Sequence, residues 1–321
     1  MRTNLLIGLA AGLASAVVFA SAGIGPLPVR ALLFALCPLP LYLAGLGWGW
    51  MAAAIGGIAG SVLVGLVATH ATGAIAYAAA EAAPAVLLTY FATLYRFVPA
   101  TTSAPAAIEW YPVGRLVLVA ALVSALLALL TLAMISDGRD SLVAMLKRVA
   151  ADVIEQQSGK RPDDATANDI AAILYQLLPF ASAVSWMGTL LLNLWVAGRI
   201  AASTGRMARP WPDIPSTSYP PGTPLLFAGA TALSMAGGEA GRIAAAFAGS
   251  MFFAYVLVGL AIIHFVTRGQ PWRPFVLWAL YLALVVLNTA ASVLIAILGL
   301  AESFSRFRRS PPSATPGPPS T

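Results

Sequence analysis

A chain of 321 residues that is 60% hydrophobic and only 9% charged cannot hide its apolar side chains inside a soluble globule, whose charged fraction is normally about a quarter. Its solvent is therefore a lipid bilayer. The formal charge of +6 does not point to nucleic acid, because the basic residues stand singly or in small groups at the ends of apolar stretches, where they act as topology signals.

In chain order, stretches long enough to cross a hydrocarbon core of about 30 Å cover 5–24, 29–46, 48–69, 72–95, 113–135, 171–198, 243–266 and 274–300. A ninth, 224–238, reaches only about 22 Å as a helix. It reads as a steep short span, a re-entrant piece or half of a broken helix. The first stretch, with Arg2, Leu5–Phe19 and Ala20-Ser21-Ala22, also resembles a cleavable signal peptide. Because Leu5–Ile24 is long enough to span, we expect a retained helix. The expected fold is all-α: a polytopic transmembrane bundle of about eight spans plus one short or re-entrant helix. It forms a single membrane domain over 1–309, and the Pro-rich tail 310–321 is expected to be disordered.

Between the fifth and sixth spans, the interval 137–169 carries five basic and seven acidic residues. Within it Leu142, Met145, Leu146, Val149 and Val153 repeat at helical spacing, with Lys147, Arg148, Asp152 and Glu155 on the other face. This predicts an amphipathic helix in the segment 137–170, stopped near Gly159, lying on the membrane surface or covering the ends of its neighbours. Arg2, Arg96, Arg115, Arg199, Arg206 and Arg209 fall on one side if six spans separate the first from the last three. The positive-inside rule makes that side cytoplasmic and places 137–170 outside. The segment 199–223 is then a cytoplasmic Pro-rich loop with Trp211 and Tyr219 suited to the interface. Arg306, Arg308 and Arg309 return inside only if 224–238 does not cross fully.

Glycines or serine four apart (Gly8 and Gly12, Gly45 and Gly49, Gly56 and Gly60, Ser61 and Gly65) let helix backbones approach closely in lipid. Pro38-Leu39-Pro40 kinks or interrupts the chain, and a broken helix there would turn carbonyls toward a ligand cavity. Glu81, midway along Thr72–Tyr95 and three residues before Pro84, is costly at membrane depth unless neutral, paired or wetted. It is a candidate proton carrier, substrate contact or structural partner. Glu239 and Arg242 can pair on one helix face. Asn193 and Asn288, inside apolar stretches, are expected to hydrogen-bond between helices. Cys37, the only cysteine, reads as a small packing residue. His70 and His264 stand without a Cys or acidic cluster, so no metal site is expected. No phosphate loop, nucleophile elbow or zinc-protease pattern is present, so neither enzyme activity nor a cofactor is expected.

Several blocks in order carry a resemblance: Cys37-Pro-Leu-Pro-Leu-Tyr-Leu-Ala-Gly-Leu-Gly-Trp-Gly, Tyr111-Pro-Val-Gly-Arg115, Asn193-Leu-Trp-Val-Ala-Gly-Arg199 with Arg209-Pro-Trp-Pro-Asp213, and Gly259-Leu-Ala-Ile-Ile-His264 followed by Thr267-Arg-Gly-Gln-Pro-Trp-Arg-Pro274. The chain resembles the alphaproteobacterial branch of a membrane family known as domain of unknown function 2232. It is more distantly similar to the substrate-binding subunits of energy-coupling-factor transporters. The resemblance implies a bacterial inner-membrane protein and no catalytic residues. Two functions follow. One is a transporter-like subunit that binds a small solute in its bundle and works with an energising protein partner. The other is a non-transporting scaffold for a cell-envelope complex. Pro38, Pro40, Glu81 and the segment 224–238 favour the first. A closed polar cavity reached by Glu81 would support it, whereas a solidly packed bundle with an apolar outer groove would support the second.

Overall fold

The computed structural model describes residues 2–68, 71–100, 106–135 and 139–305. His70, Arg306, Arg308, Arg309 and the tail 310–321 lie outside the described residues. The chain falls into two compact units: Met1–Pro212 with Leu225–Phe253, and Asp213–Pro224 with Ala254–Thr321.

The first unit opens with α1 (Arg2–Ser21), α2 (Leu27–Leu36), α3 (Leu39–Trp48) and α4 (Trp50–Ala68). α2 and α3 are one apolar stretch interrupted at Cys37-Pro38, where the prolines at 38 and 40 cannot donate to the helical ladder. Gly49, with φ +96, turns α3 into α4. A Cβ at Gly49 would meet open space, so this glycine serves a turn and not the helix packing its spacing suggested. α1 and α4 do touch backbone to backbone. A Cβ on Gly12 would fall on the carbonyl of Gly56, and one on Gly56 would come within 2.8 Å of the Gly8 carbonyl.

The next span is α5 (Ala71–Tyr77), a π-turn at Ala78–Ala82 and α6 (Ala83–Thr93). It ends at Thr93 because the chain goes extended. β1 (Tyr95–Val98) and β2 (Ala107–Trp110) pair antiparallel with Tyr95 opposite Trp110 and Arg96 opposite Glu109. The expected span 72–95 therefore ends two residues early, in a hairpin that the apolar pattern does not reveal. Cross-strand pairing of aromatic residues and of opposite charges sets its register.

α7 (Val113–Ile135) is followed by α8 (Arg139–Ser158) and α9 (Asp164–Ser203). α9 has 40 residues, about 60 Å, or twice the hydrocarbon core. It is therefore longer than one crossing requires, and α8 packs along its N-terminal part. Leu142 and Leu146 of α8 bury against Ala171 and Tyr175, and Lys147 pairs with Asp164 at 3.0 Å. The Asp163 carboxylate caps α9 by accepting from the Thr166 amide at 2.7 Å, and Gly159 at φ +70 ends α8. The amphipathic helix thus forms as expected, but its apolar face divides. Leu142 and Leu146 are buried, while Met145, Val149 and Val153 remain 43 to 49% exposed.

α10 (Thr223–Ser234) and α11 (Gly238–Val266) follow. Seven stretches among the described residues are long and apolar enough to cross a membrane: 2–21, 27–48, 50–67, 71–93, 113–134, 164–203 and 238–266. α10, with 12 residues, cannot cross by itself. The expected span 274–300 is divided into α12 (Arg273–Val286) and α13 (Thr289–Ser305). Asn288 sits at the break with φ +33, a region that Asn enters more readily than other side-chain-bearing residues. Asn288 is therefore a joint residue, exposed, and not a polar group inside an apolar helix.

In the second unit, the Pro-rich chain leading to α10 lies along α11. Asp213 pairs with Arg268 at 2.6 Å, and the Tyr219 hydroxyl donates to the Ala254 carbonyl at 2.7 Å. Ala254 is near the middle of α11, so the end of this loop is anchored along the helix and not only at its end. Irregular chain is tolerated along a membrane helix when protein covers it. Of the three readings of 224–238, a full short span is disfavoured, because the helix stops at Ser234 after 12 residues. α11 and α13 approach at Gly259 and Gly299, whose Cβ positions would fall on the carbonyls of Ile295 and Tyr255.

The hydrogen bond from Arg268 holds the Asp213 carboxyl below its ordinary range. Because the folded value lies under the unfolded one, the pair contributes fully above about pH 4 and is lost as pH falls through the folded value. Amide protection over 213–222, measured against the intrinsic exchange rate at each pH, should fall below pH 4 and in Arg268→Gln at neutral pH. Equal protection in both would show that the ion pair does not hold the loop.

Candidate functional site: a buried polar cluster at Glu81

Pro84 would clash with the carbonyl four residues earlier in a regular α-helix. The π-turn absorbs this conflict: the Ala83 amide bonds back to the Ala78 carbonyl, five residues earlier. Such wide turns recur at functional sites. Here the turn directs Glu81 into the core, where it is 1% exposed.

Around Glu81 the bundle gathers the few polar groups of its interior. The Cys37 thiol, at the break between α2 and α3, hydrogen-bonds with the Glu81 carboxyl, and Tyr42 and Tyr77 lie close enough to interact with it electrostatically. Tyr77 donates to the Ser15 hydroxyl at 2.6 Å. Glu81 Oε1 and the Tyr42 hydroxyl are buried with no hydrogen-bond partner. Nearby, Asn193 Nδ2 donates to the Ala35 carbonyl at 2.7 Å and to the Thr189 carbonyl at 2.8 Å. Ala35 is in the last turn of α2, whose carbonyls lack intrahelical partners. The break at Pro38 and Pro40 thus both frees a carbonyl for Asn193 and brings Cys37 to Glu81.

Cys37, Tyr42, Tyr77 and Ser15 were missed as site residues. Each looks like an ordinary member of an apolar helix, and only their convergence marks them. Gly45, flagged for packing, presses on Thr89, and Gly60 lies under the Tyr77 ring. Glu239 and Arg242 pair at 2.8 Å, and the Arg242 guanidinium also stacks 4.2 Å from the Tyr175 ring centroid and bonds its hydroxyl. That constellation sits apart from Glu81.

The cluster offers a carboxyl, a thiol, two phenols and a hydroxyl, without a histidine base. Among the described residues no three His, Cys, Asp or Glu side chains could share a metal ion. Cys37, beside an acid, lacks the electropositive surroundings that activate a thiol. Two apolar cavities open on this unit. One of about 560 Å³ runs between α1 and α4 past Leu9, Leu13, Ile58 and Val62. The other, of about 420 Å³, is lined by Phe19, Phe34, Thr131, Ser185, Trp186 and Thr189 among others. Glu81 lines neither.

At one end of this unit the arginines converge. The Arg199 guanidinium lies 5.0 Å from the Trp211 ring centroid and that of Arg206 lies 5.3 Å from Trp48. Arg209 donates to the carbonyls of Ala92 and Tyr111 at 3.3 and 3.0 Å. Aromatic rings and basic groups at helix ends mark the membrane interface.

A helical bundle with seven apolar helical stretches and a polar core defines a multi-pass membrane protein. The chain belongs to the family described as predicted membrane protein (DUF2232), whose family model matches residues 13–303. No curated protein and no solved structure matches it.

Proposed function

We propose that this protein is a non-catalytic scaffold of the bacterial inner membrane, with its N-terminus in the cytoplasm, on which an envelope protein assembles. The observation that carries this reading is the apolar ridge that α8 leaves open. Met145, Val149 and Val153 stand exposed at positions i, i+4 and i+8, on a helix whose Leu142 and Leu146 are already covered by α9. Apolar ridges outside the bilayer mark protein contacts. The enclosed packing around Glu81 and the apolar groove between α1 and α4 support the same reading. The arginine-rich end of the first unit supports a cytoplasmic assignment for that end, and α8, one span further on, then falls outside.

A second reading is solute binding at Glu81 with an energising partner, favoured by the two unpartnered polar groups there. Purification in mild detergent, followed by mass spectrometry of bound proteins and small molecules, separates the two. A stoichiometric protein partner, lost when Met145, Val149 and Val153 are all replaced by serine while melting is unchanged, supports the scaffold. A small molecule retained by wild type and lost in Glu81→Gln, with no partner dependent on the ridge, overturns it in favour of the second reading.

A further inference from the structure

The span ending at Thr93 and the one beginning at Val113 are joined by the β1–β2 hairpin, so connectivity holds the hairpin base where hydrocarbon gives way to headgroups. A cavity of about 330 Å³ opens there, lined by Tyr95, Arg96, Glu109, Trp110, Tyr111 and Arg115 among others. We propose that this cavity binds the phosphate group of an anionic phospholipid.

The charge count is specific. Arg96 is committed to Glu109, with its Nη2 at 2.6 Å and its Nε at 2.8 Å from one carboxylate oxygen. Arg115, exposed in the first turn of α7, has no carboxylate partner among the described residues. One unmatched guanidinium remains, which suits the single negative charge of a phosphodiester and its paired oxygens.

The walls suit a lipid. Tyr95 and Trp110 meet across the hairpin with ring centroids 5.3 Å apart and planes inclined at 57°, and such amphipathic rings favour the zone between glycerol and headgroup. The floor is already formed. The Tyr111 amide donates to the Leu94 carbonyl at 2.9 Å, its carbonyl accepts from Arg209, and its ring lies 5.1 Å from Phe91. A preformed site avoids the ordering cost that weakens flexible ones. A soluble phosphate ester has the same charged chemistry, but the depth and the aromatic walls favour the lipid.

The test is native mass spectrometry of the intact protein released from nanodiscs containing phosphatidylglycerol and phosphatidylcholine in equal amounts. Wild type should retain phosphatidylglycerol preferentially. Arg115→Gln should lower its retention about tenfold, which corresponds to about 1.4 kcal/mol, with melting unchanged. Glu109→Gln, which frees Arg96, should raise it. Equal retention of the two lipids by wild type, or undiminished phosphatidylglycerol in Arg115→Gln, would overturn the proposal. Displacement of the lipid by millimolar glycerol 3-phosphate would also overturn it, by assigning the site to a soluble ester.

Discussion

Replacing Gly12 by alanine should force α1 and α4 apart and lower the stability of the first unit. The added Cβ falls on the Gly56 carbonyl oxygen. That oxygen belongs to the α4 backbone and cannot turn aside as a side chain can, so α1 and α4 must separate. The same contact is closed from the other side by Gly56 against the carbonyl of Gly8 and the Leu41 side chain. In lipid, close packing is the main force joining helices, so separation forfeits dispersion along the whole seam. Overpacking costs on the order of 1–3 kcal/mol, and Gly12→Leu should exceed that range and prevent accumulation. Thermal unfolding in detergent, followed by size-exclusion profiles, reads both variants. A Gly12→Ala protein that melts with wild type would show that α1 and α4 are not in backbone contact.

Substitutions at Glu81 should separate folding from function. Glu81→Lys introduces a cation where the groups around it are a thiol and two phenols. A charged side chain at a helix centre costs about 2.5–3.5 kcal/mol for insertion alone, so this variant should not accumulate. Glu81→Leu is the informative change. It removes a buried carboxyl whose Oε1 is unpartnered and substitutes an apolar side chain of similar size. An unmet buried polar group costs roughly 1–3 kcal/mol, so the leucine protein should melt at or above the wild-type temperature. A phenotype accompanied by unchanged or raised stability would mark Glu81 as functional. If Glu81→Leu is instead less stable than Glu81→Gln by a comparable margin, the carboxyl is a structural member of the Cys37–Tyr42 cluster.

Glu81 was legible in the sequence because an acid in the middle of an apolar run stands out without any structure. Its neighbours were not. Cys37, Tyr42, Tyr77 and Ser15 come from three separate stretches, and a tyrosine or serine in a transmembrane helix carries no sign of where its hydroxyl goes. The glycine series shows the same limit. Gly8, Gly12 and Gly56 pack as their spacing suggested, while Gly49 has that spacing and serves a turn. Gly259 brings α11 onto α13 without a glycine or serine four residues away to flag it. A four-residue period reports which residues share a helix face and says nothing about what faces them.

Hydrophobicity and charge placement determine the bilayer as solvent, the helical class and the positions of most spans. Each backbone polar group in hydrocarbon must be satisfied within its own segment, which makes those features a property of local composition. The amphipathic period of α8 and its stop at Gly159 are local in the same sense. What composition could not decide are the features set by a partner element: the break at Asn288, the hairpin after Thr93, the irregular chain along the middle of α11, and the division of the α8 apolar face between α9 and open surface. Each depends on which of two acceptable local conformations buries more against a neighbour distant in sequence, and only the packed bundle supplies that neighbour.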